Sequence, residues 1–175
     1  MGLEASPADD KKLMKELRAL LKVYPTKQGA LLPILHRLQE RRTYLADEDL
    51  VLAGELAEMS AAAVFSVASF YTMFRRDKPG THPLGVCRNI ACWLTGAPQI
   101  VDTIRDVEGI SHGETTGDGM FSLEEVECLG SCGSGPALEI NGRYFENLTP
   151  DKTRQLLADL RSGECDPTER KGASK

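Results

Sequence analysis

Apolar residues in the first 80 positions recur every three or four residues, which is the spacing of one face of an α-helix. The first series begins at Leu13 and stops before Pro25, and a second begins at Leu31. A third begins near Asp47, and a fourth follows Ser60, a residue type favoured at helix N-caps. Four short amphipathic helices with short connections predict a small helical bundle.

The pattern changes after Gly80, where short apolar runs separate one clear helical stretch. Strand-like runs end at Cys87 and lead into Cys128, and a helical run covers 97–107 between them. Asn141-Gly142 lies between two further short runs and suits the type I′ turn of a β-hairpin. This half therefore predicts a strand, a helix, a second strand and a hairpin.

A last helix is predicted from Thr149-Pro150, a cap residue followed by the residue favoured in the first turn. The order of elements is compatible with a thioredoxin-like α/β layer. The predicted fold class is α+β, with an N-terminal small helical bundle followed by a thioredoxin-like α/β domain. The expected divisions are a flexible amino terminus, the bundle, the thioredoxin-like domain and a disordered tail: 1–12, 13–78, 79–161 and 162–175.

Composition narrows the class of protein. The chain has 175 residues, of which 41% are hydrophobic and 27% charged, as in globular proteins. Its net charge of -5 argues against general nucleic-acid binding, which uses a basic face. No apolar run approaches the roughly 20 residues that span a bilayer, and the start lacks the order of a signal peptide. We therefore expect a cytoplasmic protein with no nucleic-acid partner and no direct membrane insertion.

Four of the five cysteines form two close pairs, each following a predicted strand. Four residues separate Cys87 from Cys92, three separate Cys128 from Cys132, and 35 lie between the pairs. A two-iron, two-sulfide cluster needs four thiolates, and a structural zinc site also uses two short cysteine pairs. The spacing predicts a metal site and leaves iron–sulfur and zinc nearly even. The fifth cysteine, Cys165, lies in the tail and is expected to be a free thiol.

Other residues near the pairs add detail to this prediction. Gly130, Gly133 and Gly135 allow the backbone to approach the sulfur atoms, so that amide N–H groups can donate to them. His82 precedes Cys87 and is a candidate for a Rieske-type ligand, an alternative that four cysteines make unnecessary. In the helical half, four aromatic residues are assigned first to the core and second to a docking surface: Phe65, Phe70, Tyr71 and Phe74.

The motifs around the cysteines resemble those of a known family. The segments are GVCRNIACWLTG, EVECLGSCGSGP and INGRYFENLTPDK, with VASFYTMFR upstream. They resemble the E-subunit family of NADH-quinone oxidoreductase, the thioredoxin-like ferredoxin component of respiratory complex I, from Leu13 to Leu160. The resemblance implies that the metal is iron. It also implies one 2Fe-2S cluster per chain and names its four ligands: Cys87, Cys92, Cys128 and Cys132.

The same resemblance implies a function within a larger oxidoreductase. FMN and NADH are expected on a partner subunit, and the chain accordingly lacks a G-x-G-x-x-G motif after a strand. We expect single electrons to pass between the cluster and that flavin, with no catalytic residue and no complete active site on this chain.

The expected setting is the peripheral arm of complex I, with its other subunits as partners, on the cytoplasmic side of the inner membrane in a quinone-reducing respiratory chain. The alternatives are an equivalent subunit of a soluble NAD-linked hydrogenase or formate dehydrogenase, and a zinc-stabilised interaction module.

Overall fold

The computed structural model describes residues 7–165 and 167 of the chain. The chain divides between Lys78 and Pro79 into two compact units. Residues 1–6, 166 and 168–175 lie outside the described residues, and with them half of the predicted flexible terminus and most of the predicted disordered tail.

The first unit is helical. Its described part, residues 7–78, contains four α-helices, and one turn of 3-10 helix at Gln28–Ala30 precedes the second of them. The apolar faces of the helices form a core whose largest fully buried side chains are leucines and one isoleucine. The helices are α1 (Pro7–Leu20), α2 (Leu31–Arg42), α3 (Asp47–Ala57) and α4 (Ala61–Phe70).

The starts of α3 and α4 are set by local capping. The Asp49 carboxylate accepts a hydrogen bond from the Ala46 N–H at 3.0 Å, and acidic residues suit the first turn of a helix. The Ser60 hydroxyl oxygen accepts from the Ala63 N–H at 3.2 Å, which confirms Ser60 as the predicted cap of α4.

Two helix boundaries differ from those that the periodicity predicted. Helix α1 already includes Pro7, inside the segment predicted to be flexible, and proline is compatible with the first turn of a helix. Helix α4 ends at Phe70, although the helical spacing of apolar residues continues through Tyr71 to Phe74. The chain leaves the helix at Tyr71, and the Phe74 ring is buried, with its centroid 4.9 Å from that of the exposed His36 ring.

Among its described residues, the second unit combines a four-stranded sheet with three helices, which confirms the α+β class. The sheet order is β2-β1-β3-β4. Strands β1 and β2 are parallel, and β3 is antiparallel to both β1 and β4. In chain order the elements are β1 (His82–Cys87), α5 (Ile90–Leu94), α6 (Ala97–Glu108), β2 (Phe121–Val126), β3 (Leu138–Ile140), β4 (Arg143–Phe145) and α7 (Pro150–Ser162).

The hairpin and the last helix form as their turn residues predict. Asn141 and Gly142 have φ angles of 51° and 83°, the two positive values that a type I′ turn requires. The Thr149 hydroxyl oxygen accepts from the Lys152 N–H at the start of α7. Helix α7 runs to Ser162, one residue into the predicted tail, because Gly163 adopts the left-handed conformation (φ 77°) that closes a helix.

Within residues 7–165, no single helix has both the length and the hydropathy needed to cross a bilayer. Helices α3 and α4 pass that test only when taken together, and they are bent by 113° at their junction.

Arg161, near the end of α7, contacts α6, the segment before β2 and the first residue of β2. Its guanidinium pairs with Glu108 of α6, whose side chain is only 2% exposed, and with Asp118 at 2.8 Å. It also lies 5.1 Å from the centroid of the Phe121 ring. The Thr116 hydroxyl first, and then Arg161, hold the pKa of Asp118 well below its usual range.

We expect Asp118 to make stability depend on acid. The free energy of unfolding should fall as the pH drops below about 4, the ordinary aspartate pKa, because the unfolded chain binds a proton that the folded carboxylate does not. In Asp118→Asn this part of the dependence should disappear, as measured by urea unfolding between pH 5 and 3. Asp106→Asn measures the general effect of removing an exposed charge from α6, and equal slopes in all three proteins would contradict the prediction.

Candidate metal centre

The two cysteine pairs begin at the same edge of the sheet. Cys87 is the last residue of β1 and lies opposite Val126, the last residue of the parallel strand β2. Cys128 follows two residues later. The Cys87 N–H donates to the Ala137 oxygen at 3.0 Å, and the Arg88 N–H donates to the Val126 oxygen at 2.9 Å. Strand pairing thus holds the starts of both cysteine segments side by side.

Cys92 is positioned by a short helix that the sequence did not predict. Helix α5 starts at Asn89, whose side-chain oxygen accepts from the Ile90 N–H at 2.9 Å. Five residues are too few to show helical periodicity, so the Asn cap was the only available signal. The helix turns Cys92 inward, with 1% of its surface exposed, while Ile90 and Trp93 face outward.

The second pair lies on an irregular loop between β2 and β3. Cys128 and Cys132 are both exposed, in contrast to the buried Cys87 and Cys92. Gly130 takes a positive φ of 76°, which turns its N–H toward the Cys128 sulfur at 3.4 Å. The site therefore has one pair of sulfurs in the protein core and one pair at the surface.

All four cysteines interact, and burial affects the thiols differently. Burial acts to raise the pKa of Cys87, but backbone N–H groups of Asn89 and Leu129 oppose it. The neighbouring thiols of Cys92 and Cys128 oppose it as well, so the pKa of Cys87 lies below its usual value. Burial, followed by the adjacent Cys87, raises the pKa of Cys92, which also interacts electrostatically with Cys132.

The sequence predicted that glycines would bring backbone N–H groups close to the sulfurs, and the structure adds N–H groups of other residues. Gly130 donates as expected, but the other N–H donors belong to Asn89, Leu129 and Ala137, which carry no such signal in the sequence. Gly135 contributes by close approach, because a Cβ there would lie 3.1 Å from the Cys92 sulfur. For Gly133, no atom comes within 4 Å of an added Cβ.

The donor set fits a two-iron cluster. Among the described residues, no three His, Cys, Asp or Glu side chains converge on one ion position. A [2Fe–2S] cluster divides its four thiolates between two irons and so does not require such a point. Amide N–H groups directed at the sulfurs stabilise thiolate charge, as an iron–sulfur site requires.

The remaining candidates lie elsewhere. His82 begins β1, five residues before Cys87, which places it about 16 Å from the cysteine edge along the strand. Its ring lies 5.9 Å from Phe121 and its Nδ1 is 3.3 Å from the Asn141 amide nitrogen, so the Rieske-type alternative is excluded. Cys165 follows α7 and packs against the core of the second unit. Arg88 pairs with Glu127 at 2.6 Å.

The family follows from a comparison of the whole chain with known proteins. Residues 17–161 match the thioredoxin-like [2Fe-2S] ferredoxin family. The chain belongs to this family. The match confirms the thioredoxin-like domain, and with it the iron–sulfur cofactor in place of zinc.

Individual relatives agree with the family and confirm the resemblance found in the motifs. The chain is 36% identical over 151 residues to the E subunit of NADH-quinone oxidoreductase from Mycobacterium bovis, covering 86% of this chain and 60% of that protein. It is 36% identical over 156 residues to the corresponding E subunit from Rickettsia bellii, covering 87% and 93%. The chain thus spans about 60% of the length of the mycobacterial relative.

One solved structure shares the fold. It is an NAD+-reducing [NiFe]-hydrogenase in its H2-reduced state, with a TM-score of 0.70 and 21% sequence identity. The similarity covers 85% of this chain and 24% of the hydrogenase chain.

We expect the metal-free chain to show the division between core and surface thiols. Cys128 and Cys132 should be alkylated by limiting maleimide at least about tenfold faster than Cys87 and Cys92, because the reagent reaches them without opening the fold. Peptide mass spectrometry of a time course measures the four rates separately. Equal rates under native conditions, with equal rates again in urea, would contradict the described burial.

Proposed function

We propose that this chain is the electron-transfer subunit of an NADH:quinone oxidoreductase. In this proposal a [2Fe–2S] cluster is held by two cysteines from the β1–α5 segment and two from the loop after β2: Cys87, Cys92, Cys128 and Cys132. The observation that carries the proposal is that both cysteine segments leave the same edge of the sheet, in a chain 36% identical to the E subunit of an NADH-quinone oxidoreductase.

A bound [2Fe–2S] cluster accepts and releases one electron at a time. The protein supports this chemistry by holding thiolates in place and by controlling water. Cys87 and Cys92 lie in the core, where solvent does not reach them. Amide groups of Asn89 and Leu129 face the Cys87 sulfur and offset part of its negative charge without a proton.

The surface beside Cys92 suits a protein partner. Ile90, Trp93 and Leu94 of α5 are 69%, 58% and 71% exposed, although all three are large and apolar. Such a patch marks an interaction site more often than a free surface, and tryptophan is enriched among residues that dominate binding energy. A partner that covers this patch lies against the helix that carries Cys92, which is where an electron donor or acceptor must approach.

The proposed partner is a subunit that binds FMN and NADH. This chain has no G-x-G-x-x-G segment after a strand, the fingerprint of a dinucleotide-binding turn. Peripheral attachment to the cytoplasmic side of a membrane would then come from the assembled complex and its other peripheral-arm subunits.

A second candidate is the equivalent subunit of an NAD-linked hydrogenase or formate dehydrogenase. The fold shared with the NAD+-reducing [NiFe]-hydrogenase favours it. Affinity purification of the tagged chain from its native host separates the two: membrane-bound quinone-reductase subunits support the first proposal, and a nickel- or molybdenum-containing subunit supports the second.

We expect Cys128→Ala to abolish or strongly destabilise the cluster, since one iron then loses a thiolate. Iron and sulfide content, visible absorption and the EPR signal of the dithionite-reduced protein measure the loss, and far-UV circular dichroism should show retained helices. Cys165→Ala is the matched control and should keep a full cluster. A Cys128→Ala protein with unchanged spectra, or a colourless wild type holding one zinc, would contradict the ligand assignment.

We expect Trp93→Ala to weaken binding to the flavin-bearing subunit about 30-fold, the effect of removing one central aromatic anchor. Titration calorimetry or co-purification with the co-expressed subunit measures the affinity. Tyr144→Ala on β4 is the matched control, because Tyr144 is a similarly exposed aromatic residue (51%) on another element. Equal affinities for both variants would place the partner elsewhere.

A further inference from the structure

The loop that carries Cys128 and Cys132 is held by residues at the end of β4. The Ser134 hydroxyl donates to a Glu146 carboxylate oxygen at 2.6 Å. Ser134 first, and then Ser131, lower the pKa of the Glu146 carboxyl, so both serines act on the same carboxylate. These two serines flank Cys132 in sequence. The carboxylate is therefore bonded to the residue that lies two positions after Cys132.

The position of Glu146 is fixed by backbone hydrogen bonds of the residues that follow it. The Asn147 N–H donates to the Ser134 oxygen at 2.7 Å, and the Asn147 oxygen accepts from the Lys152 ammonium at 2.8 Å. The Leu148 N–H donates to the Pro136 oxygen at 3.2 Å. The β4–α7 connection thus binds the loop along several residues, with Glu146 at its cysteine end.

The loop needs this support because it has no regular structure of its own. Both of its cysteines are exposed, and its internal bonds are single contacts, such as that from the Ser134 N–H to the Ser131 oxygen at 3.1 Å. A charged acceptor makes stronger hydrogen bonds with hydroxyl groups than a neutral one. Ser131 lies directly next to the proposed ligand, and Ser134 lies two residues beyond it.

Glu146 also adds negative charge beside the proposed cluster. Arg88, a cation on the segment between Cys87 and Cys92, is paired with Glu127. Cluster potentials depend on net local charge, and a fixed carboxylate favours the oxidised form, which carries one negative charge fewer. The charge of Glu146 therefore acts to lower the potential.

We propose that Glu146 is a positioning residue of the cluster: its carboxylate holds the Cys132 turn through the hydrogen bond from Ser134, and its charge lowers the reduction potential. This inference rests on the cysteine ligands of the proposed function and adds a residue outside the cysteine motifs.

Two substitutions separate the two roles in the full-length, cluster-loaded chain. Glu146→Ala removes both the acceptor and the charge, and should accelerate cluster loss at least about tenfold, the factor for one hydrogen bond to a charged group. Glu146→Gln keeps an acceptor oxygen and removes the charge. It should lose its cluster more slowly than Glu146→Ala and show a midpoint potential shifted in the positive direction.

Glu164→Gln is the matched control for charge. Glu164 is exposed and follows α7 at the end where Arg161 pairs with Asp118, and Asp118 lies three residues before the start of β2. Since β1 and β2 run from that end to the cysteine edge, this charge lies at the opposite end of the sheet. Its removal should change neither the rate of cluster loss nor the potential by a comparable amount.

The measurements are the decay of visible absorption in the presence of a chelator and a potentiometric titration followed by EPR. If Glu146→Ala loses its cluster at the wild-type rate, the proposed hold of Glu146 on the Cys132 turn is wrong. If Glu146→Gln and Glu164→Gln shift the midpoint potential equally, the proposed charge effect is wrong. If Glu146→Ala takes up no cluster, the rate of cluster loss from Ser134→Ala tests the same hydrogen bond from its other partner. A wild type without an iron–sulfur signal refutes the proposed function itself, which distinguishes the two failures.

Discussion

Parallel pairing of β1 and β2 is the constraint on which the candidate centre depends. Parallel neighbours place their carboxyl ends at one edge of a sheet, and Cys87 lies opposite Val126 at that edge. The two cysteine pairs are separated by 35 residues in the sequence. They start at the same edge of the sheet, because one pair begins at the end of β1 and the other follows β2. The crossover through α6 makes the pairing possible, because parallel strands need a long connection.

The centre balances burial against charge. Buried thiols resist ionisation, yet a metal requires thiolates. Backbone N–H groups near the sulfurs stabilise the thiolate form, and they do so without adding a titratable group. Asn89 and Leu129 serve Cys87, and Gly130 serves the exposed Cys128. The result has a protected side in the core and an accessible side at the surface, which agrees with the electron exchange proposed above.

The aromatic residues of the helical unit differ in burial although they belong to one apolar stretch of the sequence. Phe74 is in the core, as first expected, whereas Phe65 and Phe70 are 51% and 78% exposed. Periodicity could not separate them, because α4 is apolar on almost every face. Only the break in the helix after Phe70 moves Phe74 away from the outward-facing rings.

By itself the sequence determined the elements whose signals are local. Turn and cap chemistry at Asn141, Ser60 and Thr149 acts within a few residues, and hydrophobic periodicity marks α2 and α6. It also predicted that the four cysteines form a metal site. Tertiary structure decided which cysteines are buried, which amides face them and how the loop is anchored at β4, because these depend on strand register and on contacts between distant segments. Helix α5 was decided there too, since five residues show no period.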